Sequence, residues 1–412
     1  MGPHQAGWDV LTADNVFAGQ DKQVAGVAPA RSGPLAGVKV IELAGIGPVP
    51  FTGMLLADLG ADVVRVDRAG VVRGTETVPF QLADDLMSRT RRSIGVDLKH
   101  PDGVEAVLRL VESADALVEG FRPGVVERLG VGPDACLARN PRLVYGRMTG
   151  WGQDGPLAGA AGHDINYIAL AGVLDRIGRA GQPPTPPLNL IGDFGGGAML
   201  LAYGMACALL HAWRTGEGQV VDAAMVEGAS LLMIPFFGGR DGGYNTARGT
   251  NLLDSGAPFY ETYETADGKW IAIGAMEPKF YATLLELLGL AGEDLPAQMD
   301  RQGWATVKAR FSAVFRTRTR AEWSALLEGT DACFAPVLGL EEVEQHPQHR
   351  ARGTFVDVEG RLQPAPAPRF GQTKPSSPLP PPGPGQDTDQ VLAEIGLTSA
   401  DIAKLRSVGA IA

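Results

Sequence analysis

The stretch from 38 to 67 limits this chain to few architectures. "VKVIELA" (38–44) is an apolar run rich in β-branched residues, "GIGPVPFTGMLLADLG" (45–60) changes to helical spacing, and "ADVVRVD" (61–67) returns to strand character. Strand, helix and strand in that order predict a βαβ unit whose parallel sheet is covered on both faces. The alternation continues with a strand in "RSIGVDL" (92–98), a helix through 101–114, a strand in "DALVEGF" (115–121), a helix in 123–130 and a strand in "RLVYGRMTG" (142–150). The expectation is a doubly wound, Rossmann-like large domain.

A second unit follows. The glycine-rich "GGRDGGYNTARG" (238–249) reads as a connector, and "YETYETADGKWIAIGA" (260–275) places two strand-like runs around an Asp-Gly turn, a strong hairpin signal. Helices are expected in 278–290 and 320–329. "QPAPAPRFGQTKPSSPLPPPGPGQ" (363–386) is too rich in proline for a helix or a central strand, and "TSADIAKLRSVG" (398–409) ends the chain as a short helix with Thr398 and Asp401 as a capping box. The expected division is an extension at 1–33, a large domain at 34–235, a linker at 236–257, a small α+β domain at 258–350, a proline-rich return at 351–386 and a segment at 387–412 joining the large domain.

Composition excludes some partners. With 36 Lys and Arg against 47 Asp and Glu, the net charge is −11, which disfavours nucleic acid and an anionic membrane surface, so an anionic ligand must be met by a local cluster. Cys136, Cys207 and Cys333 are odd in number and widely spaced, fitting neither a metal site nor a disulfide framework and suggesting a reducing cytoplasm. The run 195–213 lacks Asp, Glu, Lys and Arg and reaches membrane-span length, but its Gly and Ala content and its isolation favour a buried helix.

Three short stretches bear on chemistry. "GIGPVP" (45–50) half matches the dinucleotide fingerprint, but Pro50 stands where the third glycine is needed, so a tight turn with Pro48 opening the helix explains it better. "MSRTRRSIGVDLKH" (87–100) concentrates Arg89, Arg91, Arg92 and Lys99, which elsewhere would be solvated surface; Arg68 and Arg122 fall where a doubly wound sheet exposes the carboxyl ends of its strands. "AGHDINYI" (161–168) sets His163 before Asp164 in a chain with only six histidines. Read locally, His163 is a polar-turn residue and Asp193 an N-cap.

Longer motifs change that balance. "GPLAGVKVIELAGIGPVPFTGMLLADLGADVVRVDR", "EGFRPGVVERLG", "GRMTGWGQDGPLAGAAGHDINY", "PPLNLIGDFGGGAM", "GQVVDAAMVEG" and "GAPFYETYETADGKWIAIGAMEPKFY" together resemble the class III coenzyme A-transferase superfamily, and within it the α-methylacyl-CoA racemases. The resemblance runs from about Pro34 into the proline-rich tether. It implies an interlocked homodimer with its active site at the subunit interface, an acyl-CoA substrate, and no redox cofactor or metal, coenzyme A being bound as part of the substrate. It maps the CoA site onto Arg68, Val96, Lys99, Arg122 and Arg128, whose guanidinium and ammonium groups suit phosphate.

The resemblance also implies a two-base reaction. Inverting a stereocentre beside a thioester requires a proton removed from one face and another added to the opposite face. His163 and Asp193 match the family's pair, with Glu277 the carboxylate that reaches the histidine from the other subunit. With reference pKa values of about 6.5 for His and about 3.9 for Asp, His163 can rest neutral as base, whereas Asp193 must be raised to serve as acid. The enolate oxygen needs donors, expected at the backbone of Gly195, Gly196 and Gly197 as the start of the long helix, with Asn189 and Asp164 alongside. The alternative is CoA transfer between carboxylic acids with Asp164 as nucleophile. Departures from the family's pattern are the leading extension, a long 69–87 segment, and Ser255 where glycine is common.

Overall fold

The structure, a computed structural model, describes residues 31–77, 85–239 and 246–412; most of the leading extension and parts of the 69–87 and 238–249 segments lie outside the described residues. Six strands, β1 (Lys39–Leu43), β2 (Asp62–Arg68), β3 (Arg92–Val96), β4 (Ala116–Glu119), β5 (Val144–Thr149) and β6 (Gln219–Ala224), form one sheet in the order β3-β2-β1-β4-β5-β6. Every pairing is parallel. The chain therefore winds outward one way from β1 and the other way from β4.

Alternation along each strand feeds two cores. Ile41, Leu43, Val64, Ile94 and Leu117 pack with Val107 and Val111 of the helix Pro101–Glu112, while Val40, Val63, Val118 and Val144 pack on the other face with Val49, Leu56, Leu201 and Met205. Both faces are apolar because both are covered, as a parallel sheet requires. Val391, Leu392, Ile402 and Ile411 join the first core, so the last residues of the chain return to this sheet. There Ile411 bridges Val96 and Thr398 caps the helix Ser399–Ser407 with Asp401 in the expected box.

A smaller antiparallel sheet, β7 (Tyr260–Glu264), β8 (Trp270–Gly274) and β9 (Phe334–Pro336), surrounds a third core with Phe259, Phe311, Phe315 and Trp323. The Asp-Gly turn joins β7 to β8 as expected, with Gly268 at φ 71°. The return segment holds a hairpin that its prolines concealed: β10 (Phe355–Val358) pairs with β11 (Arg361–Pro364). Proline at the end of an isolated two-stranded ribbon forfeits no central ladder bond.

The basic cluster near β3 turns inward rather than to solvent. Arg89 is buried against Asp58 at 2.5 Å and donates to Gln363 and the Pro364 carbonyl, Arg91 pairs with a fully buried Glu42, and Arg92 bridges Asp62 at 2.6 Å and Glu394 at 2.7 Å. Buried guanidinium groups are tolerated only with such partners. Of the four, Lys99 alone is exposed.

Ser255 occupies left-handed backbone at φ 71°, where a side chain is disfavoured. Its carbonyl accepts from Lys308, which ties the strained residue in place. Replacing Ser255 with glycine is expected to raise stability by about 1 kcal/mol in urea unfolding, with unchanged m-value.

Candidate active site

In a doubly wound sheet, ligands bind where neighbouring strands send the chain in opposite directions, at their carboxyl ends. Here that crevice lies between β1 and β4. Beyond β1 the backbone turns through Gly47 at φ 69° into the helix Pro48–Asp58, Pro48 occupying the first helical position. Facing this turn is an unusual element, a π-helix over Leu190–Ala198 that runs straight into the α-helix Met199–Thr215. The Phe194 ring lies 4.7 Å from that of Phe51, and a Cβ on Gly47 would stand 3.4 Å from the Asp193 carboxylate. "GIGPVP" thus forms one wall beside Asp193.

His163 approaches from the next element. It caps the helix Asp164–Leu170, exposed, with its N–H donating to Asn166 Oδ1 at 3.0 Å. The turn before it is pinned: Tyr167 donates its hydroxyl to the Gly162 carbonyl at 2.5 Å and stacks edge-on against Trp151 at 4.8 Å. Asp164, only 4% exposed, accepts the Asp193 N–H on Oδ2 at 2.7 Å. One bond therefore joins the residue after His163 to the backbone of Asp193.

Electrostatics at Asp193 follow from this crowding. Burial holds its carboxyl above the ordinary aspartate range; the hydrogen bond from Asn189, 3.0 Å long, pulls it down, the Asp164 charge pushes it up, and the His163 charge pulls it down. The imidazole and the carboxyl thus lie within each other's field. A raised carboxyl keeps its proton to higher pH, as an acid opposite a neutral base requires.

The glycines differ from expectation. The helix starts at Leu190, five residues before Gly195, so Gly195, Gly196 and Gly197 lie inside the π-helix and are not free N–H groups at a helix start. In π winding the carbonyl five residues back closes on each Cβ position, at 3.1 Å for Gly195, 3.0 Å for Gly196 and 2.8 Å for Gly197. The three glycines leave these close approaches free of side chains. Gly196 also packs directly on Gly228 of the helix Met225–Leu232.

The residues mapped to CoA fall on neighbouring strand ends. Arg68 closes β2, 3.5 Å from Glu76; Val96 closes β3, buried; Lys99 follows it; Arg122 follows β4; Arg128 lies near the end of the helix Val125–Leu129. All four cations are exposed. Burial, with the nearby Asp193 charge, pushes the Tyr167 phenol up to about 12, and Arg122 is close enough for its charge to offset part of that rise. Glu277 lies elsewhere, exposed at the start of the helix Pro278–Leu287, where its charge bears on Cys333. Within one chain no hydrogen bond or ion pair joins Glu277 to His163.

A cavity of about 1100 Å³ opens beside the small sheet, lined by Ile191, Leu232, Phe236, Leu252 and Phe334 with Arg179 and Glu261. Neither His163 nor Asp193 lines it. Sequence reasoning missed Tyr167 and Trp151, whose signal was only an aromatic one turn after the histidine and another in "GWGQDG".

Residues 35–388 match the model of CoA-transferase family III. The chain belongs to that family. It is 46% identical over 377 residues to mouse (Mus musculus) alpha-methylacyl-CoA racemase, covering 90% of this chain and 96% of that protein, and 44% identical to the human (Homo sapiens) racemase over the same span. Among solved structures, a CAIB/BAIF family protein from Brucella suis superposes with a TM-score of 0.77 at 26% identity, covering 88% of this chain and all of that one. The family match spans both sheets and every candidate residue described above.

Proposed function

We propose that this chain is a racemase that exchanges the R and S forms of a 2-methyl-branched acyl-CoA through an enolate. The observation that carries the reading is the 2.7 Å bond from the Asp193 N–H to Asp164, which sets a raised carboxyl beside the His163 turn in the switch crevice of the sheet. Similarity to two proteins named alpha-methylacyl-CoA racemase supports it.

Arg68, Lys99, Arg122 and Arg128 hold the phosphates of CoA by charge-assisted hydrogen bonds, with the backbone at Val96 beside the adenine. Neutral His163 takes the α-proton from one face, leaving an enolate. Asp193 then returns a proton to the other face; in the reverse direction the two exchange roles. The enolate oxygen is met by N–H groups of the first turn of the π-helix, where intrahelical partners are lacking and the dipole favours negative charge. Asn189 orients the Asp193 carboxyl.

CoA transfer is the second reading. It needs Asp164 as an accessible nucleophile, but Asp164 is buried and its Oδ2 accepts the Asp193 N–H, which supports the racemase instead. One enantiomer of a 2-methylacyl-CoA in heavy water, with and without a carboxylic acid acceptor, separates the two. Deuterium entering the α-carbon as optical purity is lost is the expected result; movement of CoA to the acceptor without deuterium would replace this reading with the transferase.

The active form is an interlocked homodimer. Met199, Tyr203, Leu210 and Trp213 expose one face of the long helix although its opposite face is buried, and Leu231, Leu232, Ile234 and Phe237 are exposed nearby in sequence. So much exposed apolar surface is uncommon on a monomer and calls for a cover. The partner's Glu277 then reaches His163 and holds its ring in one orientation. Sedimentation is expected at twice the chain mass, and a monomer active at full rate would remove Glu277 from the site.

A further inference from the structure

Beneath the phosphate rim lies a buried charge that proton transfer does not use. Glu119 is 0% exposed at the end of β4, beside the switch crevice. One carboxylate oxygen accepts the N–H of Phe121 at 2.6 Å, two residues along its own chain, and the other accepts Arg147 Nε at 3.0 Å. Arg147 is the residue paired with Glu119 in the ladder between β4 and β5. From there the same guanidinium reaches Glu127 at 2.8 Å, on the helix that carries Arg128.

The segment between these anchors has little freedom. Gly120 lies against Val49, a Cβ there standing 2.8 Å from that side chain, and the Val125 N–H bonds the Arg122 carbonyl at 3.1 Å. Gly124 is left-handed at φ 79°, and a Cβ on it would lie 3.1 Å from Arg128 Nη1, so the Arg128 guanidinium folds back toward the loop. Arg122 and Arg128 are thereby held at two points of one bracket, exposed to solvent.

We propose that Glu119 is a positioning residue for CoA, setting Arg122 directly through the Phe121 backbone and Arg128 through the relay Arg147 to Glu127. This deepens the reading of the rim as a CoA site and rests on it. A buried ion pair is seldom retained for stability, since a well-packed apolar pair does as well. What only a carboxylate can do here is accept a backbone N–H on one oxygen and a guanidinium on the other. Burial leaves the Glu119 carboxyl raised to about 7 even with the Phe121 N–H and Arg147 pulling it down, so its ionised form depends on the two groups it positions.

The test is Glu119→Gln, with free CoA as the probe in calorimetric titration and 2-methylacyl-CoA in steady-state kinetics. The amide keeps the shape but cannot accept from both donors as an anion. The Kd for CoA and the KM are expected to rise about tenfold, the loss of one charge-assisted contact, with kcat within about twofold. A folded variant with Kd and KM unchanged, or one losing kcat alone, overturns the proposal. Should Glu119→Gln fail to fold, Glu127→Gln on an exposed residue probes the outer link: about a threefold rise in Kd is expected, and none overturns the relay. If the wild-type protein does not bind CoA at all, the reading of the rim fails, and that is seen before any variant is compared.

Discussion

His163→Ala and Asp193→Ala each lose inversion by about a thousandfold or more in kcat, the scale of a positioned acid or base, while CoA affinity stays within about threefold of wild type. The two properties separate because the phosphate rim stands on β2, β3 and the β4 segment, whereas His163 and Asp193 stand on two other elements joined through Asp164. A sharper outcome follows from opposed bases. Each enantiomer presents its α-hydrogen to only one of them, so a variant missing one base still has the other on one face. It can remove and return a proton there without inverting the centre. His163→Ala is expected to exchange deuterium into one enantiomer with retention and to leave the other inert, and Asp193→Ala to show the reverse preference. Measurement of α-deuterium by mass spectrometry beside optical purity decides it. Equal exchange of both enantiomers in either variant would mean that one base serves both faces, and normal turnover would remove that residue from the mechanism.

Why some of this was legible in the sequence and some was not has a physical basis. Buried parallel strands are continuous apolar runs, so β1 to β5 stood out at once, whereas their order in the sheet comes from the structure. The helix Pro133–Arg139 passed unseen because seven residues carry too little periodicity. The basic cluster misled because charge is local in sequence but its neutralisation is not: Asp58, Glu42 and Asp62 lie on other elements, and nothing around Arg89, Arg91 or Arg92 announces them. Asp164 read ambiguously as nucleophile or neighbour until the fold brought the Asp193 N–H to it. Glu119 gave no sign at all. Its two partners are a backbone group and an arginine on the next strand, and strand pairing is invisible in a single chain of letters.

Gly228→Ala is expected to damage stability and catalysis together. A Cβ on Gly228 would overlap the Gly196 carbonyl, and one on Gly196 would stand 2.5 Å from the Ala229 nitrogen, so the π-helix and the helix Met225–Leu232 touch backbone to backbone. Backbone cannot swing aside as a side chain can; the added methyl must push one helix from the other, at a cost of about 3 kcal/mol in denaturant unfolding. The displacement falls on the π-helix three residues after Asp193. That helix is the softer partner, since its winding relies on Gly195, Gly196 and Gly197 and its hydrogen-bond geometry is poorer than that of an α-helix. A shift there stretches the 2.7 Å bond between the Asp193 N–H and Asp164, moving the acid away from the histidine turn. For a two-base reaction a displacement of about 1 Å costs on the order of a hundredfold in rate. The expected signature is therefore a kcat per folded molecule reduced about a hundredfold with KM little changed, because Arg68, Lys99, Arg122 and Arg128 lie on other elements. A variant that loses stability yet turns over normally once folded would show that the glycine contact supports the fold alone, and that Asp193 is held by Asp164 and Asn189 without it.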